Sequence, residues 1–363
     1  AILDRGVTES TFEPVLRGPK DSFTENHSIN MGLVRKRIKS SSLIINDYIV
    51  GKRTLSKVSI IYEKELVDKN ILKKVVNKIK KINIDSILDS SYIRNYLDNK
   101  SLFPTIISTE RPDLVCQNIL NGKICILVEN SPIALILPAT LDDFFKSSED
   151  YYQKSRSATF SRIIRYIAFI ITIIMPALYI ALMTFNQELI PDQLLISLAS
   201  QRSKVPFPTF IEILLFIIIF EILREADIRA PSISGASMSI VGALVLGDAA
   251  VSANIVSPIA IIIVAITSIC ELVFTDQDMI NSIRTWRIIF VLSTIIFGII
   301  GIVSISIILI TKLCDINSFN IPYTTPISPL NNNIKNDSIL VKNPKDRLNR
   351  PNYLTNNIKR VGK

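Results

Sequence analysis

The stretch YIAFIITIIMPALYIALMTFNQ, residues 166–187, carries no Asp, Glu, Lys or Arg, and neither does IIFVLSTIIFGIIGIVSISIILIT, residues 288–311. At about 1.5 Å of rise per residue, either is long enough to cross a hydrocarbon layer of about 30 Å as a helix. Three more apolar segments lie between them, at about 205–226, 230–247 and 249–273, so the sequence predicts an α-helical polytopic membrane domain over 156–311. Glu212, Glu221 and Glu271 sit inside this apolar sequence. An ionised carboxylate facing lipid is costly, so all three are expected to face protein or enclosed water.

Outside the apolar segments the composition changes. Residues 1–165 hold 26 basic and 19 acidic side chains, which predicts a soluble N-terminal domain over 1–155. The basic tail, 312–363, is hydrophilic, and the Asn, Pro and Lys content of 335–363 predicts a flexible surface segment. The net charge of +9 does not point to nucleic acid, because the basic residues flank apolar spans, as they do on the cytoplasmic side of membranes. Both termini are therefore expected in the cytoplasm, with an even number of crossings. The segment 230–247, which begins at Ala230-Pro231 and is rich in Ser and Gly, is the expected non-crossing one, re-entrant or interfacial. The alternative is five crossings with a translocated terminus. Ala1 to Gly32 has no apolar core of signal-peptide length, and the missing initial Met leaves room for an upstream piece. With no CxxC pair among four cysteines and a single histidine, His27, neither a metal site, a cofactor nor a disulfide frame is expected.

Within the soluble region, Glu25 to Lys39 has an amphipathic helical pattern ending in a basic cluster, Lys57 to Tyr62 reads as a strand, and Asp68 to Lys81 as a helix. Pro112 to Leu120 reads as a short helix. The runs 124–128 and 133–137 flank Glu129-Asn130-Ser131-Pro132 as a hairpin. The expected fold is α+β, with α/β-like alternation, and a gap at 89–102 that could separate a pair of subdomains. Tyr151, Tyr152, Lys154, Arg156, Arg162 and Arg165 read as interfacial anchors ahead of the first span. No phosphate loop or nucleophile motif occurs, so no enzyme is expected.

In the apolar region, Glu212 and Glu221 are nine residues apart and fall on opposite helix faces. Glu221 with Arg224, and Glu225 with Arg229, have the spacing of ion pairs along a helix at the membrane interface. Glu212 has no such neighbour, which leaves it protonated, paired to another helix or open to a wet cavity. Gly235, Ser239, Ala243 and Gly247 form a small-residue stripe suited to close helix packing. Ala260, Val264, Thr267, Ser268 and Glu271 give the fourth segment a small or polar face opposite bulky isoleucines. Repeated about a symmetry axis in a homo-oligomer, that face would line a cation pore; the rival reading is ordinary helix packing.

FEILREADIR at 220–229, SIVGALVLGDAAV at 239–251 and IVSP at 255–258 resemble the A subunit of the GerA-type nutrient germinant receptors of endospore-forming bacteria. RGPKDSFTE at 17–25, ILDSSYI at 87–93, STERPD at 108–113 and EDYY at 149–152 are similar to that family in the same order. The resemblance implies a subunit in the spore inner membrane, with the N-terminal domain and tail on the core side. Its implied partners are a transporter-like, nutrient-sensing B subunit, a lipoprotein C subunit and membrane lipid. The implied activity is a nutrient-gated cation channel formed by oligomerisation; the alternatives are a non-conducting scaffold or amplifying subunit, and a carrier coupled through Glu212. Asp227, Ile233, Ala236 and Glu271 depart from the family pattern.

Overall fold

The structure is a computed structural model that describes residues 6–10, 13–98, 101–229, 247–329, 337–342 and 349–360. It divides into two compact units. The first comprises Ala1–Ile164, Phe274–Met279 and Thr311–Lys363; the second comprises Arg165–Val273 and Ile280–Ile310.

The first unit is built on one sheet of β1 (Leu43–Val50), β2 (Ser56–Glu63), β4 (Ile124–Val128), β5 (Ala134–Leu137) and β3 (Ile107–Thr109), in that spatial order and antiparallel throughout. The hairpin expected around Glu129–Pro132 is β4–β5, with Ile124 opposite Leu137. Strands buried on both faces read as unbroken apolar runs, and ICILV and ALIL are covered on both sides. On one face Val58, Ile60, Ile126 and Leu135 pack with α2 (Lys69–Lys80) and α3 (Ser90–Leu97) through Ile71, Val75, Ile93 and Leu97. On the other, Ile61, Cys125, Leu127 and Ile136 pack with α1 (His27–Arg37) and α4 (Pro112–Leu120) through Leu33, Val34, Val115 and Ile119. Asp68 caps α2, its carboxylate accepting from the amides of Asn70 and Ile71. The fold is α+β, a helix–sheet–helix sandwich.

Three expectations need correction. Residues 89–102 do not separate subdomains, because α3 lies in that gap and its Ile93 and Leu97 enter the shared core. Residues 335–363 are not simply a surface segment: Leu354 joins the same core, as do Phe319 and Ile321 ahead of it, and the Arg350 guanidinium donates to the Leu120 carbonyl at 2.8 Å. Short strands β6 (Asn317–Ser318) and β7 (Ile321–Pro322) begin this return. Arg162 is not an interfacial anchor. It is fully buried, with its guanidinium on Asp150 at 3.0 Å and also donating to the Ser338 carbonyl.

The second unit contains most of α5 (Ser155–Thr184), then α6 (Asp192–Arg202), α7 (Thr209–Arg229), α8 (Pro258–Glu271) and most of α9 (Gln277–Asp315). Among the described residues, α5 and α9 are long and apolar enough to cross a membrane. The segment expected over 249–273 is not one helix. Residues 247–252 are helical, the chain turns at Asn254 (φ 55°), and α8 restarts at Pro258, a residue whose fixed φ suits a first helical turn. At 14 residues, α8 spans only about 21 Å. The 288–311 segment is also interrupted, because Gly298 adopts φ 60°, ψ −139°. The Phe185 ring lies where a β-carbon on Gly298 would stand, 2.9 Å from the nearest ring atom, so glycine alone fits there. Gly235, Ser239, Ala243 and the expected re-entrant segment lie outside the described residues, except for Gly247 at the start of the 247–252 helix.

Candidate functional site

α7 and α8 pack together and are tied at both ends. Near the start of each, Glu212 of α7 accepts from the Ser257 amide at 3.2 Å and from the Ser257 hydroxyl at 2.8 Å. Arg202, the last residue of α6, lies 3.5 Å from the other oxygen of Glu212. Near their ends, Arg224 of α7 donates to Glu271, the last residue of α8. Start joins start and end joins end, so the two helices run in the same direction.

Glu271 is the centre of a larger cluster. Arg287 of α9 donates to one Glu271 oxygen at 3.0 Å and to Glu221 at 2.7 Å, while Arg284 and Arg224 converge on the other Glu271 oxygen. Two carboxylates thus face three guanidiniums across α7, α8 and α9. Glu271 is 1% exposed and Arg287 4%, whereas Arg224, Arg284 and Glu221 reach the surface more. The position is electrostatically apt. The C-terminal end of a helix carries partial negative charge, so α8 and its terminal carboxylate both attract the arginines. Desolvation makes such a cluster a poor net stabiliser, but losing one partner strands a buried charge.

The residues singled out in the sequence are distributed as follows. The Glu221–Arg224 pair exists at 3.8 Å, but each member has a closer partner on another helix; Glu225–Arg229, at 2.6 Å, is exposed. Ala260, Val264 and Thr267 are buried with Glu271, and Ser268 is half-buried. Of the alternatives, protein or enclosed water, the structure puts Glu212 and Glu271 against protein: within one chain both are buried with arginines from other helices beside them. The opposite side of α8 is open, with Ile262 and Ile269 exposed. Sequence reading missed Arg202, Arg284 and Arg287. The last two could have been found, because residues three apart just before an apolar run share one helix face. Among the described residues, no group of three or more His, Cys, Asp or Glu is arranged to hold a metal ion.

An α+β unit is thus followed in the chain by a unit of apolar helices, with two helices long and apolar enough to cross a membrane and with carboxylate–guanidinium contacts buried between helices. The profile described as Bacillus/Clostridium GerA spore germination protein matches residues 1–353, and the chain belongs to that family. It is 40% identical over 337 residues to spore germination protein KA of Bacillus subtilis (strain 168), covering 92% of this chain and 62% of the relative. It is 36% identical over 353 residues to spore germination protein A1 of the same organism, covering 96% and 73%. The chain thus spans about three fifths of the length of the first of these. The N-terminal domain of the A subunit of the Bacillus megaterium spore germinant receptor GerK3 is 35% identical, with a TM-score of 0.28, covering 33% of this chain and 97% of that one.

Proposed function

We propose that the chain is a membrane subunit of a nutrient germinant receptor that triggers spore germination. On this reading it works in the spore inner membrane with a B-type transporter-like sensor and a C-type lipoprotein, and copies of it oligomerise into a nutrient-gated cation channel. The observation that carries the receptor role is the family match over 1–353. The channel reading is supported by the second unit's apolar exterior, where Ile218, Ile222, Ile269, Ile296 and Ile300 are exposed and need lipid or neighbouring subunits as cover. In this arrangement the small face of α8, with Ala260, Val264 and Thr267, is sealed. Conduction along it requires α7 and α8 to move apart, and the Glu271 cluster is the contact that resists.

The test is potassium efflux from liposomes holding the chain with its B- and C-type partners, triggered by a nutrient mixture. Nutrient-dependent efflux that changes with Thr267→Val or Val264→Ala supports the channel. A complex that assembles and never conducts leaves the second reading, a non-conducting scaffold or amplifying subunit, which the pairing of both buried carboxylates favours. A carrier coupled through Glu212 loses support, because that carboxylate is already held by Arg202 and Ser257.

A further inference from the structure

The first unit holds a partly open cavity of about 100 Å³. A single water needs roughly 10–15 Å³ of such space, so the cavity has room for several waters or one small molecule. Lys123 and Lys146 stand in its wall, with Asp142 and Asp143 beside them. Lys123 is 2% exposed and Lys146 14%.

The hydrogen bonding of these groups is lopsided. Oδ2 of Asp143 accepts from the Thr140 amide and the Thr140 hydroxyl and lies 2.7 Å from the Lys123 ammonium, and Oδ1 lies 3.6 Å from Lys146. Asp142 takes Ser338 on one oxygen and Lys146, at 2.5 Å, on the other. Asp142 and Asp143 each have an ammonium within ion-pair reach, but the Lys123 ammonium makes no hydrogen bond among the described residues. An ammonium offers three N–H groups. Lys123 has Asp143 as its ion partner, and Lys146 has Asp142 and Asp143. The Lys123 ammonium is thus a buried donor beside the cavity with no hydrogen-bond partner among the described residues, and such a donor costs about 1–3 kcal/mol, more when it is charged. The arrangement calls for oxygen acceptors brought from outside. The rest of the wall is mixed: Phe144, Pro351, Leu354 and the Tyr353 ring line it together with Arg111, Arg360, Glu13, Asp276 and Asp337.

We propose that this cavity is a binding site for a small carboxylate, with its oxygens on Lys123 and Lys146 and a short alkyl group against Tyr353 and Leu354. The tail segment around Tyr353 is then one wall of the site, so ligand binding ties the tail to the sheet. The site lies wholly in the first unit and does not rest on the channel reading.

The experiment uses the full chain in detergent with sodium propionate as probe, against propionamide and against sodium chloride at equal ionic strength. Propionate is expected to raise the melting temperature in a saturable way and to slow amide hydrogen exchange at 349–360, with no such effect from propionamide or chloride. Lys123→Met is expected to weaken propionate at least tenfold. Should that variant fold poorly, Gln117→Trp, which places a ring at the cavity wall, is expected to abolish the effect. Stabilisation by chloride equal to that by propionate, or an undiminished propionate effect in Gln117→Trp, would overturn the proposal and leave a water-filled cavity.

Discussion

At the scale of single residues, the Glu271 cluster makes an ordered prediction, because its arginines differ in burial. Arg287 is 4% exposed and bridges Glu271 and Glu221, so Arg287→Met should cost about 3–5 kcal/mol, the usual penalty for breaking a buried pair. Arg284 is 18% exposed and leaves two arginines on Glu271 when removed; Arg284→Met should cost less than half as much. Unfolding of the chain in one detergent, followed by circular dichroism, measures both, and equal losses would mean that Glu271 does not depend on Arg287. Glu13 in the first unit gives a pH prediction. Burial raises its carboxyl from 4.5 to about 7, against the Thr109 hydroxyl that donates to it at 2.5 Å and the nearby Arg111. The folded chain therefore keeps a proton that the unfolded chain releases. Stability from this group is complete below pH 4.5 and is lost as pH rises to about 7, by on the order of 3 kcal/mol at most. Glu13→Gln should flatten that stretch of the stability–pH curve in denaturant titrations, and an unchanged slope would place the titration elsewhere.

At the scale of elements, what could be read in advance followed the strength of the local pattern. α2 and α4 have helical periodicity and clear starts at Asp68 and Pro112, and β4 and β5 are short apolar runs separated by turn residues. β1 escaped notice because Asn46 and Asp47 interrupt LIINDYIV; it is an edge strand, paired only to β2 and half-exposed. β3 has three residues, and pairing to β5 is what makes it a strand. The break in α9 was illegible for a different reason. Hydropathy is equally high on both sides of Gly298, and only the tertiary contact with Phe185 shows that this glycine is not one more small residue in a span. Gly298→Ala should therefore cost more than the roughly 1–3 kcal/mol of the strained backbone alone, since the new methyl also meets the ring. Gly298→Ala combined with Phe185→Ala should recover some of the loss in the same unfolding assay. A Gly298→Ala protein as stable as the parent would show that the helix runs straight there.

At the scale of the whole molecule, composition misled most about the tail. Asn, Pro and Lys predict a solvated segment, but a chain that returns to its own first domain needs only a few apolar residues to stay there, and those are easily lost in a polar average. In 335–363 they are Val341 and Leu354, both buried, with Arg360 donating to Asn121 at 2.6 Å; ahead of them Phe319, Ile321 and Tyr323 are buried too, the Tyr323 carbonyl accepting from the Leu141 amide at 2.8 Å. The first unit is thus closed by residues that follow the apolar helices in sequence, and it cannot complete its core until they have been made. Leu354→Ala should destabilise that unit by about 2–5 kcal/mol, as for other buried leucines. Deleting 349–363 should cost more, because it also removes Arg350 from the end of α4 and uncovers the cavity wall at Tyr353. Limited proteolysis of the membrane-extracted chain reads the difference: cleavage should spread from the truncated end into the α4 and β4 region. If the deleted chain keeps the parent's cleavage pattern and melting temperature, the tail is an appendage and the core closes without it.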